Sequence, residues 1–241
     1  MSSPITLISS MATRALLAEL ARSYEARSGR GVVIESVGGV EVKKRVQAGE
    51  AFDVVVLARD AIDELAAGGY LLAGSTVDLV RSAVAAAVRA GAARPEIGSE
   101  EALRRAVLAA RTIGCSTGPS GVKLARLFER WGIAEQVRER VVTPPPGVPV
   151  GVLVARGEVE LGFQQLSELM LVEGIDVLGP LPATVQIATT FSGGVGRASD
   201  QSDAARALIA FMTSPATAKA KRRQGLDPAG HRAHAEETST R

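Results

Sequence analysis

The stretch Ser116–Gly121 (STGPSG) lies between an apolar, strand-like entry and an amphipathic run, and its residue types suit the holding of an anion. The hydroxyls of Ser116, Thr117 and Ser120 donate hydrogen bonds without carrying formal charge. Glycines permit close approach, and the N–H groups at a helix start carry partial positive charge. Three other junctions share this character: Ser9–Thr13 (SSMAT), Ser36–Val40 (SVGGV) and Gly147–Gly151 (GVPVG). Any one of them is ordinary helix capping, worth ~1 kcal/mol with no ligand needed. Four in one chain point to a cleft for a compact, dehydrated anion. The STGPSG loop is not a P-loop, because Gly118 and Gly121 stand too close together and Val122 and Lys123 follow. A nucleotide is therefore not expected there.

Gln164 and Gln165 end an apolar segment whose pattern marks it as buried. A buried amide must find partners or cost a few kcal/mol, roughly. Two readings stay open: the glutamines satisfy loop backbone, or one of them hydrogen-bonds a ligand oxygen. Cys115, the single cysteine, excludes an intramolecular disulfide and a cysteine-cluster metal site, and its place at a strand end suits a small buried residue better than a reactive thiol. Both histidines, His231 and His234, lie in the last eleven residues, so no histidine triad or zinc site is expected in the body of the fold. No metal and no cofactor is called for.

The elements that must position these loops alternate. Strand-like ITLIS, VVIESV and FDVVVLA are each followed by a helical pattern, which indicates a parallel sheet covered by helices. Arg81–Ala92 is an apolar strand long enough to cross between lobes, and the segment VQIATTFSGGVG is a second crossing. Ser99 is placed to cap the helix that follows it. The stretch SDAARALIAFMTSPATAKAKRRQGLDP reads as one closing helix, and residues 231–241 as a disordered tail. The fold class expected is α/β: two Rossmann-like lobes, with a hinge and a cleft between them. Residues 1–80 with 190–230 form lobe 1 and residues 81–189 form lobe 2. Ligands in such sheets bind outside the carboxyl ends of the strands.

Composition narrows the partners. Of 241 residues, 46% are hydrophobic and only 3% aromatic, which leaves little surface for stacking bases or sugars. The net charge of +2 comes from scattered Arg and Lys, so nucleic acid is not an expected partner. No run of apolar residues is long enough to span a membrane. The first twenty residues lack a basic start and a continuous apolar stretch. The expectation is a periplasmic protein if the chain is a mature form lacking its leader, and a cytoplasmic one otherwise. The expected partners are a small-molecule anion and an ABC-transporter permease, with the chain acting as a monomer.

As an ordered set, ITLISSMATRALLAEL, GGVEVKKRVQAGEAFDVVVLA, STGPSGVKLARLFERWGI and ALIAFMTSPATAKAKRRQGLDP resemble the type II periplasmic solute-binding proteins of the molybdate-binding-like branch. The resemblance implies two lobes closing on an oxyanion held by neutral donors, for uptake or sensing. It assigns Ser9 or Ser10 to the first loop, Gly38–Gly39 to the second, Ser116, Thr117 and Ser120 to the opposing loop, and Val150–Gly151 to the next helix start. It departs at Phe163, Gln164 and Gln165, where molybdate binders carry a tyrosine-containing segment, and this leaves a carboxylate more open. The same branch resembles aconitate isomerase, which implies an alternative: moving a double bond by removing a proton next to a carboxylate. That chemistry needs a base. Glu41, Lys43, Lys123 and Glu168 stand near the loops, each otherwise a solvated helix residue.

Overall fold

The computed structural model describes residues 3–145 and 147–229. The chain runs β1 (Ile5–Ser10), α1 (Arg14–Ser28), β2 (Val32–Val37), α2 (Gly39–Gln47), β3 (Val54–Ala58), α3 (Arg59–Ala67) and β4 (Val77–Arg89). It continues through α4 (Glu100–Ala109), β5 (Ile113–Cys115), α5 (Pro119–Arg130), α6 (Ala134–Val137), β6 (Val141–Val142), α7 (Val150–Arg156), β7 (Leu161–Gln165) and α8 (Leu166–Leu169). It closes with β8 (Ile175–Pro180), β9 (Ala188–Val195), α9 (Ser202–Thr213), α10 (Ala218–Arg223) and β10 (Leu226–Pro228). Ser99 caps α4 as expected, its Oγ accepting the Ala102 N–H.

Strand order is β2-β1-β3-β9-β4-β7-β5-β6, with β8 and β10 also paired to β4. β1, β2 and β3 are parallel, as are β5, β6 and β7. The parallel sheet expected of the first three strands is present, and direction changes only at the centre: β9 is antiparallel to both β3 and β4, and β4 is antiparallel to β7. The reason is β4 itself. Its first half pairs β9 and its second half pairs β7 and β8, so a single strand serves both sheets.

The register then fixes which edges meet. Val80 pairs Phe191, which pairs Ala58 at the end of β3, while Val84 pairs Gln165 at the end of β7. The carboxyl ends of β1–β3 and of β5–β7 thus face each other across the short span Val80–Val84. Aliphatic packing follows the same division. One core gathers Leu103, Ile113, Leu124, Phe128, Leu161 and Phe163. Others, built on β1 and β3, pack α1 and α9 on one face and α2 and α3 on the opposite face.

The single closing helix expected from the sequence is broken. Ser214 is extended (φ −64°, ψ 151°) ahead of Pro215, as a residue before proline tends to be. A 3-10 turn at Pro215–Thr217 leads into α10, which stops at Gly225 (φ 68°), and β10 adds to the edge of β4. The reading of residues 231–241 as a disordered tail, with His231 and His234, lies outside the described residues.

Asp53 ties the starts of β1 and β3 to the segment ahead of α9. Buried at 3% exposure, it accepts from the Thr6 N–H (2.8 Å) and hydroxyl (3.0 Å), the Ser199 hydroxyl (2.6 Å) and the Gln201 amide (3.2 Å). Asp53→Ala leaves these donors without their acceptor and should cost about 3 kcal/mol. Urea denaturation checks this; an unchanged midpoint would contradict the assignment.

Candidate functional site

β1 ends in Ser9 and Ser10, then turns through a 3-10 turn, Met11–Thr13, into α1. Because β1 and β2 are parallel and in register, Ser9 lies beside Ser36, and their hydroxyls hydrogen-bond at 2.9 Å. Ser9 is therefore a paired, fully buried group. Ser10 differs: its Oγ is buried and has no hydrogen-bond partner among the described residues. Gly38 caps α2 and Gly39 begins it. A Cβ on Gly39 would lie 3.8 Å from the Ser10 Cβ, so the Ser10 side chain packs directly against the start of α2.

On the facing edge, β5 leads into the Ser116–Gly118 turn and α5. Ser116 and Ser120 share a hydrogen bond of 2.9 Å, while Thr117 is exposed. Gly121 is what allows this turn to close. A Cβ there would overlap the carbonyl oxygen of Ser116, a backbone atom that cannot step aside. At Gly118 a Cβ would meet nothing nearer than the Ser116 Oγ at 4.0 Å.

The two glutamines differ in their partners. Gln164 Oε1 accepts the Gly151 N–H at 3.2 Å, so it satisfies backbone at the start of α7. Val150 is a core residue packed with Leu153, Val154 and Val159. The start of α7 is thus engaged within the protein. Gln165, 4% exposed, donates its Nε2 to Thr189 Oγ1 on β9 at 2.9 Å and leaves its Oε1 buried without a donor among the described residues. Ser10 and Gln165 stand on opposite edges, each with an unanswered polar atom. A buried polar atom in that condition costs about 1–3 kcal/mol until something pairs it.

Sequence reasoning missed the groups that join the edges. Ser167 on α8 donates to the Ala12 carbonyl at 2.8 Å and lies 3.4 Å from the Ser82 hydroxyl on β4. Thr189 was legible only as part of a crossing strand, and Ser36 only as part of a loop. Among the candidate bases, Glu41 is exposed and Lys43 is paired with Glu64. Lys123 Nζ lies 3.5 Å from the Ala188 carbonyl. Glu168 is half-buried, and burial pushes its carboxyl up to about 7 against the opposing pull of the Gln164 amide. It lines a cavity of about 430 Å³ together with Met11, Arg14, Pro149, Val152 and Val172. Cys115 is buried, and burial pushes its thiol up to about 12, which makes it an unreactive core group.

Gly121→Ala should force the Ser116–Ser120 turn open, lowering stability by about 2 kcal/mol. Gly118→Ala should leave the fold at wild-type stability. Thermal melts of the two variants check the contrast; equal behaviour would contradict it.

A family model described as bacterial extracellular solute-binding protein matches residues 5–227. Aconitate isomerase from Pseudomonas sp is 37% identical over 232 residues, covering 93% of this chain and 87% of that protein. Two solved structures share the fold at low identity. The periplasmic molybdate-binding protein of Azotobacter vinelandii has a TM-score of 0.78 and 18% identity, over 94% of this chain and all of that one. The tungstate ABC transporter protein of Geobacter sulfurreducens has a TM-score of 0.73 and 16% identity, over 90% of this chain and 97% of that one. The fold is thus the two-lobed α/β architecture of type II binding proteins, and the chain belongs to the bacterial extracellular solute-binding protein family.

Proposed function

We propose that the chain clamps a small carboxylate-bearing anion between its two lobes. In this reading residues 1–80 with 190–230 form one jaw and residues 81–189 the other, hinged at β4 and β9. The observation that carries it is that Ser10 Oγ and Gln165 Oε1, on facing strand ends, are both buried without a hydrogen-bond partner among the described residues. Ser10 turns its hydroxyl hydrogen to an anion at no cost. Gln165 does the same by turning its amide, because the Thr189 hydroxyl serves as acceptor to one amide orientation and as donor to the other. The α2 start at Gly38–Gly39 and the Ser116, Thr117 and Ser120 group add neutral donors. Phe163–Gln165 in place of a tyrosine segment, and the aconitate isomerase relative, favour a carboxylate over a tetrahedral metal oxyanion. The partner would be a transporter permease for uptake or sensing, the chain acting as one copy in the periplasm.

Glu168 favours a second reading, isomerisation of an unsaturated polycarboxylate. Its ionised form would take a proton from the carbon between a carboxylate and the double bond. The electron pair moves into the allyl system, the double bond shifts, and the protonated Glu168 returns the proton to the far carbon. A carboxyl near 7 is matched to such work at neutral pH.

A thermal-shift panel of molybdate, tungstate, sulfate, citrate, cis- and trans-aconitate and succinate tests the first reading. Carboxylates should raise the melting temperature, and Ser10→Ala and Gln165→Ala should each reduce that shift; unchanged shifts in both variants would remove the site. For the second reading, incubation with trans-aconitate should yield cis-aconitate at a rate rising with pH through about 7, and Glu168→Gln should abolish it. Absence of interconversion by wild type sinks the enzyme. Stability carries its own sign. Because burial raises Glu168, its contribution is fully present below the ordinary carboxylate range and is lost as pH rises through about 7. Glu168→Gln should flatten that part of the stability profile.

A further inference from the structure

The cavity beside the strand ends has chemistry that the neutral clamp does not use. Each of its walls continues from a loop of the clamp. Met11 follows Ser10, Pro149 precedes Val150, and Glu168 comes one turn after Gln165. At about 430 Å³ it exceeds what a compact oxyanion fills. Met11, Val152 and Val172 give it an apolar floor, while Arg14 from the first turn of α1 and Arg156 from the last turn of α7 stand at its rim. Among the described residues Arg14 has no carboxylate within ion-pairing distance, and the nearest one to Arg156 is Glu158, at 3.9 Å. The acidic groups on the same cavity are Glu168 and Glu173.

We infer that this cavity is a second carboxylate subsite: Arg14 and Arg156 receive the distal carboxylate of a di- or tricarboxylate whose near carboxylate is held at Ser10 and the Ser116–Ser120 turn. The inference rests on the clamp reading and narrows its ligand class to extended polycarboxylates. An aliphatic spacer between the two charges suits the apolar floor. Guanidinium groups stay charged at every working pH and meet a carboxylate with paired donors, so they discriminate by charge number where the neutral loops cannot. A monocarboxylate or molybdate would leave the rim empty.

The test is calorimetric titration of wild type, Arg14→Gln/Arg156→Gln and Ser10→Ala/Ser116→Ala with tricarballylate, propionate and molybdate. Both arginines are exposed, so their replacement should leave the fold intact. Wild type should bind tricarballylate more tightly than propionate. The arginine variant should lose at least tenfold of the tricarballylate affinity and stay within twofold of wild type for any probe that lacks a second carboxylate. The serine variant should weaken every probe that wild type binds. An arginine variant that holds tricarballylate as tightly as wild type overturns the subsite, as does a wild type that does not bind it. If the serine variant alone leaves all affinities unchanged, the clamp reading fails instead, and the arginine effect then reports a separate surface site.

Discussion

The backbone pairing of one strand governs this molecule. β4 must satisfy its N–H and C=O groups along its whole length, and it does so against β9 and β10 in its first half and against β7 and β8 in its second. Because it is hydrogen-bonded in both halves, the two sheets cannot choose their relative direction freely. The carboxyl ends of their parallel strands are brought to face each other. The arrangement on which the proposed clamp rests follows: the β1–α1 and β2–α2 turns on one side, the β5–α5 and β7–α8 turns on the other, and Ser167 reaching from α8 to the Ala12 carbonyl between them.

The polar groups at these strand ends differ in how fully they are hydrogen-bonded. Ser9 has Ser36, Gln164 has Gly151, and Asp53 has four donors. These groups hold loops and strand ends in place. Among the described residues, Ser10 Oγ and Gln165 Oε1 have no such partner. Each such atom costs about 1–3 kcal/mol while desolvated and unpaired, and in the proposed clamp this lowers the cost of binding, because a ligand need not strip water from it. Neutral donors are suited to this. Burying a guanidinium without its counterion would cost far more, and the two arginines near the cleft stand instead at an exposed rim.

Alternation of strand and helix patterns made the layered α/β class legible, and Ser/Gly-rich junctions marked the turns that follow β1, β2 and β5. What stayed illegible depended on contacts distant in sequence. Ser9 and Ser10 are equivalent as a dipeptide; only the parallel register with β2 sets the Ser36 hydroxyl beside Ser9 and apolar Val37 beside Ser10. Adjacent glutamines on a strand point to opposite faces, so their division of labour needs to know which face meets α7 and which meets Thr189. β10 is too short to show a period, and the break at Ser214–Pro215 was hidden by the strong helical pattern on either side. The cavity with Arg14 leaves no mark in the sequence, since its walls come from three separated turns.

The central claim is that both edges engage one ligand at once. Hydrogen exchange of the protein with and without tricarballylate tests it most directly. The account predicts that peptides spanning residues 8–14, 36–42, 114–124 and 162–170 gain protection together, at the same ligand concentration. Protection confined to one edge, or none at saturating tricarballylate, would contradict it.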